Sequence, residues 1–130
     1  MILADTSAWI GYFRDPNLPQ SRLIDEVLED RDFVMGDLVL VELLQGLRTL
    51  RESRLVGAAI AQLSNVTLCG PQIAPIAAEN YRTLRRAGIT VRSTIDVIIA
   101  TWCIENGASL IHSDRDFEPL RKFGLTVFSG

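Results

Sequence analysis

The segment Ile2-Leu3-Ala4-Asp5-Thr6-Ser7-Ala8-Trp9-Ile10 decides the fold class of this chain. Its three opening apolar residues predict a short buried strand, which stops where Asp5 begins a run of residues that cap helices. Apolar residues then continue to Phe13 at helical spacing, and Pro16 and Pro19 end this first helix. The chain therefore opens as a strand, a cap and a helix.

The same alternation of strand and helix continues to the end of the chain. Further short apolar runs predict strands at residues 33–35, 66–69, 109–112 and 125–128. Helical spacing predicts helices over residues 23–28, 38–50, 52–63, 73–87, 93–106 and 114–123, with Asp37 as a cap and Gly70-Pro71 as the end of the third strand. Strands that are apolar on both faces and alternate with helices predict a three-layer α/β/α sandwich around a parallel sheet of about five strands.

The composition limits the possible chemistry. The chain has 130 residues, of which 48% are hydrophobic and 22% charged, with one histidine, two cysteines and a net charge of −3. A single histidine excludes a metal site built from two or three imidazole groups. Cys69 and Cys103 lie in apolar stretches without a redox spacing, which predicts two buried thiols. With no signal sequence and no apolar run of membrane length, we expect a cytoplasmic protein that forms one domain, residues 1–130, and does not bind a membrane.

Three acidic residues stand apart from the other carboxylates. Asp5 and Asp114 follow the first and fourth predicted strands, and the carboxyl ends of neighbouring strands form the ligand crevice of an open α/β sheet. Either acid alone is more readily explained as a helix cap. Asp96 resists that explanation because its helix is apolar nearly all round, so an ionised acid there needs a partner, a cation or a polar cleft. Arg92, one helical turn earlier, is the structural alternative.

Glu42 and Asp116 are further candidates, although each has an ordinary explanation. Glu42 fits an exposed position on an amphipathic helix, and Asp116 fits the first turn of a helix, where its charge complements the helix dipole. Converging acids without lysine or histidine beside them cannot all ionise unless a cation is bound. Ligand sets made only of oxygen suit Mg²⁺ or Mn²⁺, and such ions promote phosphodiester hydrolysis by activated water, without a covalent intermediate.

Four motifs in this chain resemble those of PIN-domain ribonucleases, above all the VapC toxins of toxin–antitoxin pairs. They are Asp5-Thr6-Ser7-Ala8-Trp9-Ile10, Glu42-Leu43-Leu44-Gln45-Gly46, Arg92-Ser93-Thr94-Ile95-Asp96 and Ser113-Asp114-Arg115-Asp116-Phe117. The similarity spans residues 2–128. It implies the sheet order 3-2-1-4-5, an endoribonuclease that depends on Mg²⁺ or Mn²⁺, a cognate VapB-type antitoxin that inhibits it, and a homodimer.

The resemblance also assigns roles to individual residues. It implies that metal binding and catalysis belong to four acids, Asp5, Glu42, Asp96 and Asp114. Asp116 matches an acid that assists in many members, and Thr6 or Ser7 would supply a supporting hydroxyl near Asp5. His112 stands where a hydroxyl residue often occurs, and we expect its ring to pack rather than to contact substrate.

The charge pattern suggests where RNA could bind. Residues 80–95 contain four arginines and no acid, whereas residues 23–37 contain six acids and one arginine. We expect the arginines to contact RNA phosphates, with ordinary surface pairing to Glu79 as the alternative; they are Arg82, Arg85, Arg86 and Arg92. The apolar surplus predicts a groove for an antitoxin helix around Trp9, Tyr12, Phe13, Leu18 and residues 47–63.

Two other functions compete with a ribonuclease toxin. A non-catalytic interaction module could use the same scaffold, and a DNA-directed nuclease would share the same metal chemistry. The short chain leaves no room for the clamp that a structure-specific DNA nuclease uses, which favours the small toxin. Whether the RNA is a tRNA, an rRNA or an mRNA stays open, because shape and loop contacts determine that choice.

Overall fold

Five short strands form one parallel sheet in the computed structural model, which describes residues 1–130. The strands are β1 (Ile2–Ala4), β2 (Phe33–Gly36), β3 (Ser64–Val66), β4 (Ser109–Ile111) and β5 (Thr126–Val127). Their order is β3-β2-β1-β4-β5, and every neighbouring pair is parallel. The predicted parallel sheet and its order are therefore confirmed, and the strand order reverses between β1 and β4.

Helices connect the strands on both faces of the sheet. They are α1 (Thr6–Arg14), α2 (Pro19–Val27), α3 (Asp37–Gln45), α4 (Leu50–Ile60), α5 (Gly70–Arg86), α6 (Thr94–Asn106) and a 3₁₀ helix (Arg115–Phe123). Because crossovers between parallel strands are right-handed, α1 to α4 cover one face and α5, α6 and the 3₁₀ helix cover the other. None of these helices is long and apolar enough to cross a membrane.

The core is anchored by the side chain of Trp9 on α1. Trp9 is fully buried, and its ring stacks with those of Phe13 and Phe33 at centroid distances of 5.8 and 5.6 Å. This packing ties α1 to β2 and holds the beginning of α1 against the end of β1. The expectation that Trp9 forms part of an exposed groove is therefore wrong.

The third strand lies earlier in the chain than the apolar pattern predicted. It covers Ser64–Val66, where Gly36 pairs with Val66. Leu68 is fully buried, yet it lies beyond the strand, and its side chain fills the space above Gly36, where a Cβ atom would clash with it. The apolar run at residues 66–69 therefore reflects the packing of Leu68 and not the position of the third strand. Gly70 and Pro71 begin α5 instead of ending a strand, since proline is compatible with the first helical turn.

The predicted helix over residues 38–50 is too long. The helix ends at Gln45, and a new helix begins after Thr49, whose side chain accepts the Glu52 N–H while Glu52 accepts the Arg48 N–H. This reciprocal capping supplies partners for amides that a helix start leaves unpaired. The motif Thr49-x-x-Glu52 was the sequence signal for that break.

Asp37 does not cap α3, because Gly36 occupies the cap position. Its carboxylate accepts the Leu68 N–H at 3.0 Å, which fixes the chain after β3 against the start of α3. Of the two cysteines, Cys103 is buried as expected, whereas Cys69 is only partly buried.

Candidate metal centre

Asp5 lies at the centre of the sheet's carboxyl edge. Its backbone N–H donates to the Ile111 carbonyl at 3.0 Å, which places the ends of β1 and β4 side by side. Its side chain accepts the Ala8 N–H at 2.9 Å and so caps α1. The residue is 3% exposed. Asp5 therefore serves as a cap, as one interpretation predicted, and also presents a carboxylate beside the fourth strand.

Ser7 joins the two strand ends through its hydroxyl. Its Oγ atom lies 2.8 Å from both carboxylate oxygens of Asp5, to which it donates, and it accepts the Ser113 N–H at 3.2 Å. Of the two hydroxyls expected near Asp5, Ser7 occupies that position. Thr6 instead donates to Glu42 Oε1 at 2.5 Å. Each of the two hydroxyls after β1 therefore orients a different acid.

Three more carboxylates meet next to this edge. Asp96, Asp114 and Asp116 each offer one oxygen, and these oxygens all lie within 4.8 Å of one another. Asp96 comes from the first turn of α6, which begins with Ser93 as its cap, whereas the other two come from the start of the 3₁₀ helix. The structure thus brings Asp116, a supporting candidate in the sequence, into the tightest part of the cluster.

The cluster carries no neutralising cation from the protein. Ion pairs form only on the surface, at Arg82–Glu79, Arg86–Glu79 and Arg121–Glu118. The alternative in which Arg92 pairs with Asp96 is therefore wrong. An all-carboxylate donor set without a cation of its own fits a hard divalent ion such as Mg²⁺ or Mn²⁺.

The pKa values of Asp96 and Asp5 reflect this lack of a neutralising basic side chain. Burial, followed by the charges of Asp5, Asp114, Glu42 and Asp116, raises the pKa of Asp96 to about 7. Burial also raises the pKa of Asp5 to about 6, although the hydrogen bonds from Ala8 and Ser7 offset part of that effect. All four partners that raise the Asp96 pKa by charge are predicted site residues. The charges of all four other candidate acids therefore reach Asp96.

His112 lies next to the cluster and packs as expected. Its ring is half-buried, with its centroid 5.0 Å from that of Phe117, and burial lowers its pKa. Its Nδ1 atom accepts the Asp114 N–H at 3.2 Å. This hydrogen bond was not predicted from the sequence; the signal for it was an acceptor-bearing side chain two residues before an acid that follows a strand.

Cys103 lies on α6 close enough to Asp5 for the carboxylate charge to affect its thiol. Burial, and secondly the charge of Asp5, raises the pKa of the Cys103 thiol to about 12. The thiol is therefore protonated and unreactive at neutral pH, and it serves as a small apolar side chain behind the acids.

The arginines of α5 divide into two kinds. Arg82 and Arg86 both pair with Glu79, at 2.5 and 3.1 Å, which is the ordinary surface arrangement considered from the sequence. Arg85 instead lies over the Tyr81 ring at 6.0 Å. A shallow groove of about 460 Å³ between α5 and α6 is lined by Arg82, Arg85 and Thr94 among others, and therefore runs beside the first turn of α6.

A second groove lies on the other face of the sheet, between α1, α3 and α4. It has a volume of about 600 Å³, and its lining includes Ile10, Phe13, Glu42, Leu47 and Leu55. Leu55, which lines this groove, is 52% exposed, and Leu50, at the start of the same helix, is 68% exposed. Glu42 thus lies between the acidic cluster and an apolar groove.

The fold and the site together define a three-layer α/β protein with an all-carboxylate centre where the strand order of its sheet reverses. The chain belongs to the PIN domain family, which matches residues 2–122. It is 33% identical over 126 residues to VapC ribonuclease Mb1587 of Mycobacterium bovis and to ribonuclease VapC11 of Mycobacterium tuberculosis. These alignments cover 94% of this chain and 92% of each relative.

Solved structures with the same fold come from VapBC complexes. A chain of VapBC2 from Rickettsia felis, crystallised with a DNA fragment from the promoter, superposes with a TM-score of 0.79 at 14% identity. A chain of DNA-bound VapBC from Salmonella typhimurium gives 0.79 at 20% identity. In both cases 98% of each chain is covered, so the resemblance includes every element of the sheet and its helices.

Proposed function

We propose that this protein is a Mg²⁺- or Mn²⁺-dependent endoribonuclease toxin, in which one domain of residues 1–130 hydrolyses RNA phosphodiester bonds and a cognate VapB-type antitoxin inhibits it. The observation that carries the proposal is the group of three carboxylates whose oxygens lie within 4.8 Å of one another, with no basic side chain paired to them. The relatives at 33% identity, which are named ribonucleases, support the choice of RNA as substrate.

Asp96, Asp114 and Asp116 are the residues best placed to hold the metal, and Asp5 and Glu42 add charge beside them. When bound, the metal ion supplies Lewis-acid activation of water and charge stabilisation for an in-line phosphoryl displacement. The chain's own contribution is to hold these acids in place before substrate arrives. Ser7 and the start of α1 fix the carboxylate of Asp5, so its orientation does not depend on the metal.

The raised pKa values of Asp96 and Asp5 make metal binding depend on pH. Asp96, with a pKa of about 7, is close to half protonated near neutral pH without metal. Asp96 would lose that proton when a divalent ion is bound, because opposite charge next to a carboxylate favours its ionised form. Metal affinity is therefore expected to increase with pH across this range.

RNA reaches the acids along the groove between α5 and α6 in this proposal. Arg85 has no carboxylate partner, and Thr94, which lines the same groove, lies two residues before Asp96. The ion pairs of Arg82 and Arg86 with Glu79 are exposed, and such pairs exchange readily for phosphate contacts because each is worth little in water. Arg92 is exposed at the end of the same stretch.

The antitoxin occupies the groove between α1, α3 and α4 in this proposal. The exposed leucines of α4 and the apolar lining around Phe13 suit the apolar face of an amphipathic helix. The VapBC structures that share the fold support such a partner. Co-expression of an antitoxin with Leu55→Arg should reduce complex recovery, whereas Ile76→Arg on α5 should leave it intact; equal recovery of both complexes would contradict this location.

The proposal is tested by incubating the purified protein with tRNA, rRNA and mRNA, and with DNA of matching sequence. Cleavage of at least one RNA is expected in Mg²⁺ or Mn²⁺, no cleavage is expected in EDTA, and added metal should restore it. Undiminished cleavage in EDTA would refute the metal mechanism, and cleavage of DNA alone would favour a DNA-directed nuclease. Metal binding by calorimetry without cleavage of any nucleic acid would favour the non-catalytic module.

A further inference from the structure

We propose that His112 is a positioning residue for the acidic cluster: by accepting the Asp114 N–H, its Nδ1 atom fixes the loop that presents Asp114 and Asp116. The inference rests on the proposed function, since it gives His112 a part in the metal site named there. In this proposal His112 touches none of the reacting groups and acts through the backbone of Asp114, a proposed metal ligand. The distance from the Asp114 nitrogen to Nδ1 is 3.2 Å.

Hydrogen bonds donated by several backbone N–H groups hold the loop after β4 in place. The Ser113 N–H donates to Ser7 Oγ at 3.2 Å, and the Asp114 N–H donates to His112. The Asp116 N–H donates to Asp114 Oδ1 at 2.9 Å, and the Phe117 N–H donates to the Asp114 carbonyl at 3.3 Å. Since Asp114 both receives support from His112 and supports Asp116, the imidazole stands at the start of the chain of contacts that orients two carboxylates.

The imidazole is itself held in one orientation. Its ring lies against that of Phe117, which is fully buried, at a centroid distance of 5.0 Å and an interplanar angle of 45°. The Nε2 atom is buried and has no hydrogen-bond partner in the chain, so the ring makes its one hydrogen bond through Nδ1, with the Asp114 N–H. Because Nδ1 accepts, the neutral ring carries its proton on Nε2. His112 thus couples the packing of Phe117 to the position of the acidic loop.

A pair of substitutions separates this role from simple packing. His112→Asn places its Oδ1 as many bonds from Cα as Nδ1 is, so it can accept the same N–H. His112→Leu keeps apolar contact with Phe117 and removes the acceptor, and His112→Phe repeats that loss with a ring if the leucine variant does not fold. The comparison between asparagine and the apolar variants therefore isolates the hydrogen bond.

Two measurements on the whole protein test the proposal. In metal-free protein, the Asp114 amide should exchange with solvent about fivefold faster in His112→Leu and within about twofold of wild type in His112→Asn, as the loss of one hydrogen bond predicts. Calorimetric titration with MnCl₂ should show about a fivefold weaker dissociation constant for His112→Leu and recovery in His112→Asn. The first measurement needs no metal.

The outcomes distinguish the inference from the function on which it rests. Wild-type exchange and Mn²⁺ affinity in His112→Leu would overturn the positioning role while leaving the metal site intact. Equal losses in the leucine and asparagine variants would also overturn it, because packing alone would then account for them. Failure of the wild-type protein to bind Mn²⁺ would overturn the metal site and the inference together.

Discussion

The acidic cluster at the sheet edge and the charged group around Glu79 on α5 differ in whether basic side chains neutralise their carboxylates. Glu79 is exposed and lies between Arg82 and Arg86, whose hydrogen bonds and charges lower its pKa. Asp96 lies among four other acids and no cation, and its pKa is raised to about 7. The Glu79 group is neutralised by basic side chains of the chain, whereas the charge of the acidic cluster is reduced only by protonation or by a bound cation.

This contrast separates the charges that pair on the surface from those that the proposed metal site would use. Surface pairs such as Arg82–Glu79 contribute little to stability because water screens them. Gathering acids near the core costs free energy, since each carboxylate raises the cost of ionising the next. The fold maintains that arrangement through Ser7, Thr6 and Ser93, which supply hydrogen bonds but no charge. A cost of this kind in a packed protein marks a binding site more reliably than the number of acids does.

The largest expected effect comes from removing the central charge of the cluster. Asp96→Asn should reduce RNA cleavage at least about 1,000-fold, because it removes a ligand oxygen from the group of three and the charge stabilisation that a metal supplies. The measurement is the initial rate of cleavage in saturating Mg²⁺. Glu105→Gln, an exposed acid on the same helix, is the matched control and should retain wild-type activity. Comparable rates for Asp96→Asn and wild type would show that the cluster is not the catalytic centre.

The next effect concerns stability against pH without metal. Asp96 and Asp5 have pKa values of about 7 and 6 in the folded protein, against 3.8 as their ordinary value. Between about pH 4 and 7 the folded chain therefore binds more protons than the unfolded chain, so this stabilisation is present at low pH and lost as the pH rises. In EDTA, the free energy of unfolding should fall by about 1–2 kcal/mol from pH 5 to pH 8.

Chemical denaturation at both pH values measures that change. Asp96→Asn should reduce the slope, Glu105→Gln should preserve it, and Mg²⁺ at pH 8 should restore stability by binding the folded state. A stability that rises from pH 5 to pH 8 in EDTA would contradict the raised pKa values. Glu79 does not contribute to this change, because its pKa is lowered from 4.5 and its effect on stability lies at lower pH.

The sequence predicted the sheet and the identity of the acids more fully than the contacts between them. The strand order was implied by the resemblance to PIN-domain ribonucleases, and the positions of Asp5 and Asp114 at strand ends followed from short apolar runs that end at polar residues. The pattern placed the third strand too late, because Leu68 is apolar for its packing over Gly36 and not for a place in the sheet. Periodicity reports burial and cannot say which element a buried side chain covers.

The same limit applies to the helix faces and to the hydroxyls. Thr101 on α6 is a polar residue, yet it is fully buried, where it accepts a hydrogen bond from Asn80 on α5. Thr6 and Ser7 were equivalent by sequence, and only the three-dimensional arrangement assigns one to Glu42 and the other to Asp5. Contacts between residues 36 positions apart in the chain depend on tertiary packing, which local spacing does not encode.

A smaller effect is expected at the hydroxyl that orients Asp5. Ser7→Ala removes the donor to the Asp5 carboxylate and the acceptor of the Ser113 N–H, and should destabilise the fold by about 2 kcal/mol. Cleavage should decrease about tenfold as Asp5 loses its fixed orientation. Thermal unfolding and initial rates measure the two effects, with Ser53→Ala, an exposed serine on α4, as the control. If Ser7→Ala and Ser53→Ala had the same stability and the same cleavage rate, the hydrogen bonds of Ser7 between the ends of β1 and β4 would have no role in the site.

The smallest expected effect concerns the arginines of α5 and their contribution to RNA binding. Arg85 is the one α5 arginine of the three without a carboxylate partner, so Arg85→Gln should raise the KM for RNA about threefold and weaken its dependence on salt, with kcat unchanged. Arg82→Gln should change KM less, because Glu79 already neutralises part of that charge. Arg22→Gln, an exposed residue of the acidic α2 region, is the control. If Arg82→Gln instead had the larger effect, the ion pair with Glu79 would not reduce the contribution of Arg82 to RNA binding, and the division of the arginines into paired and free would have no functional meaning.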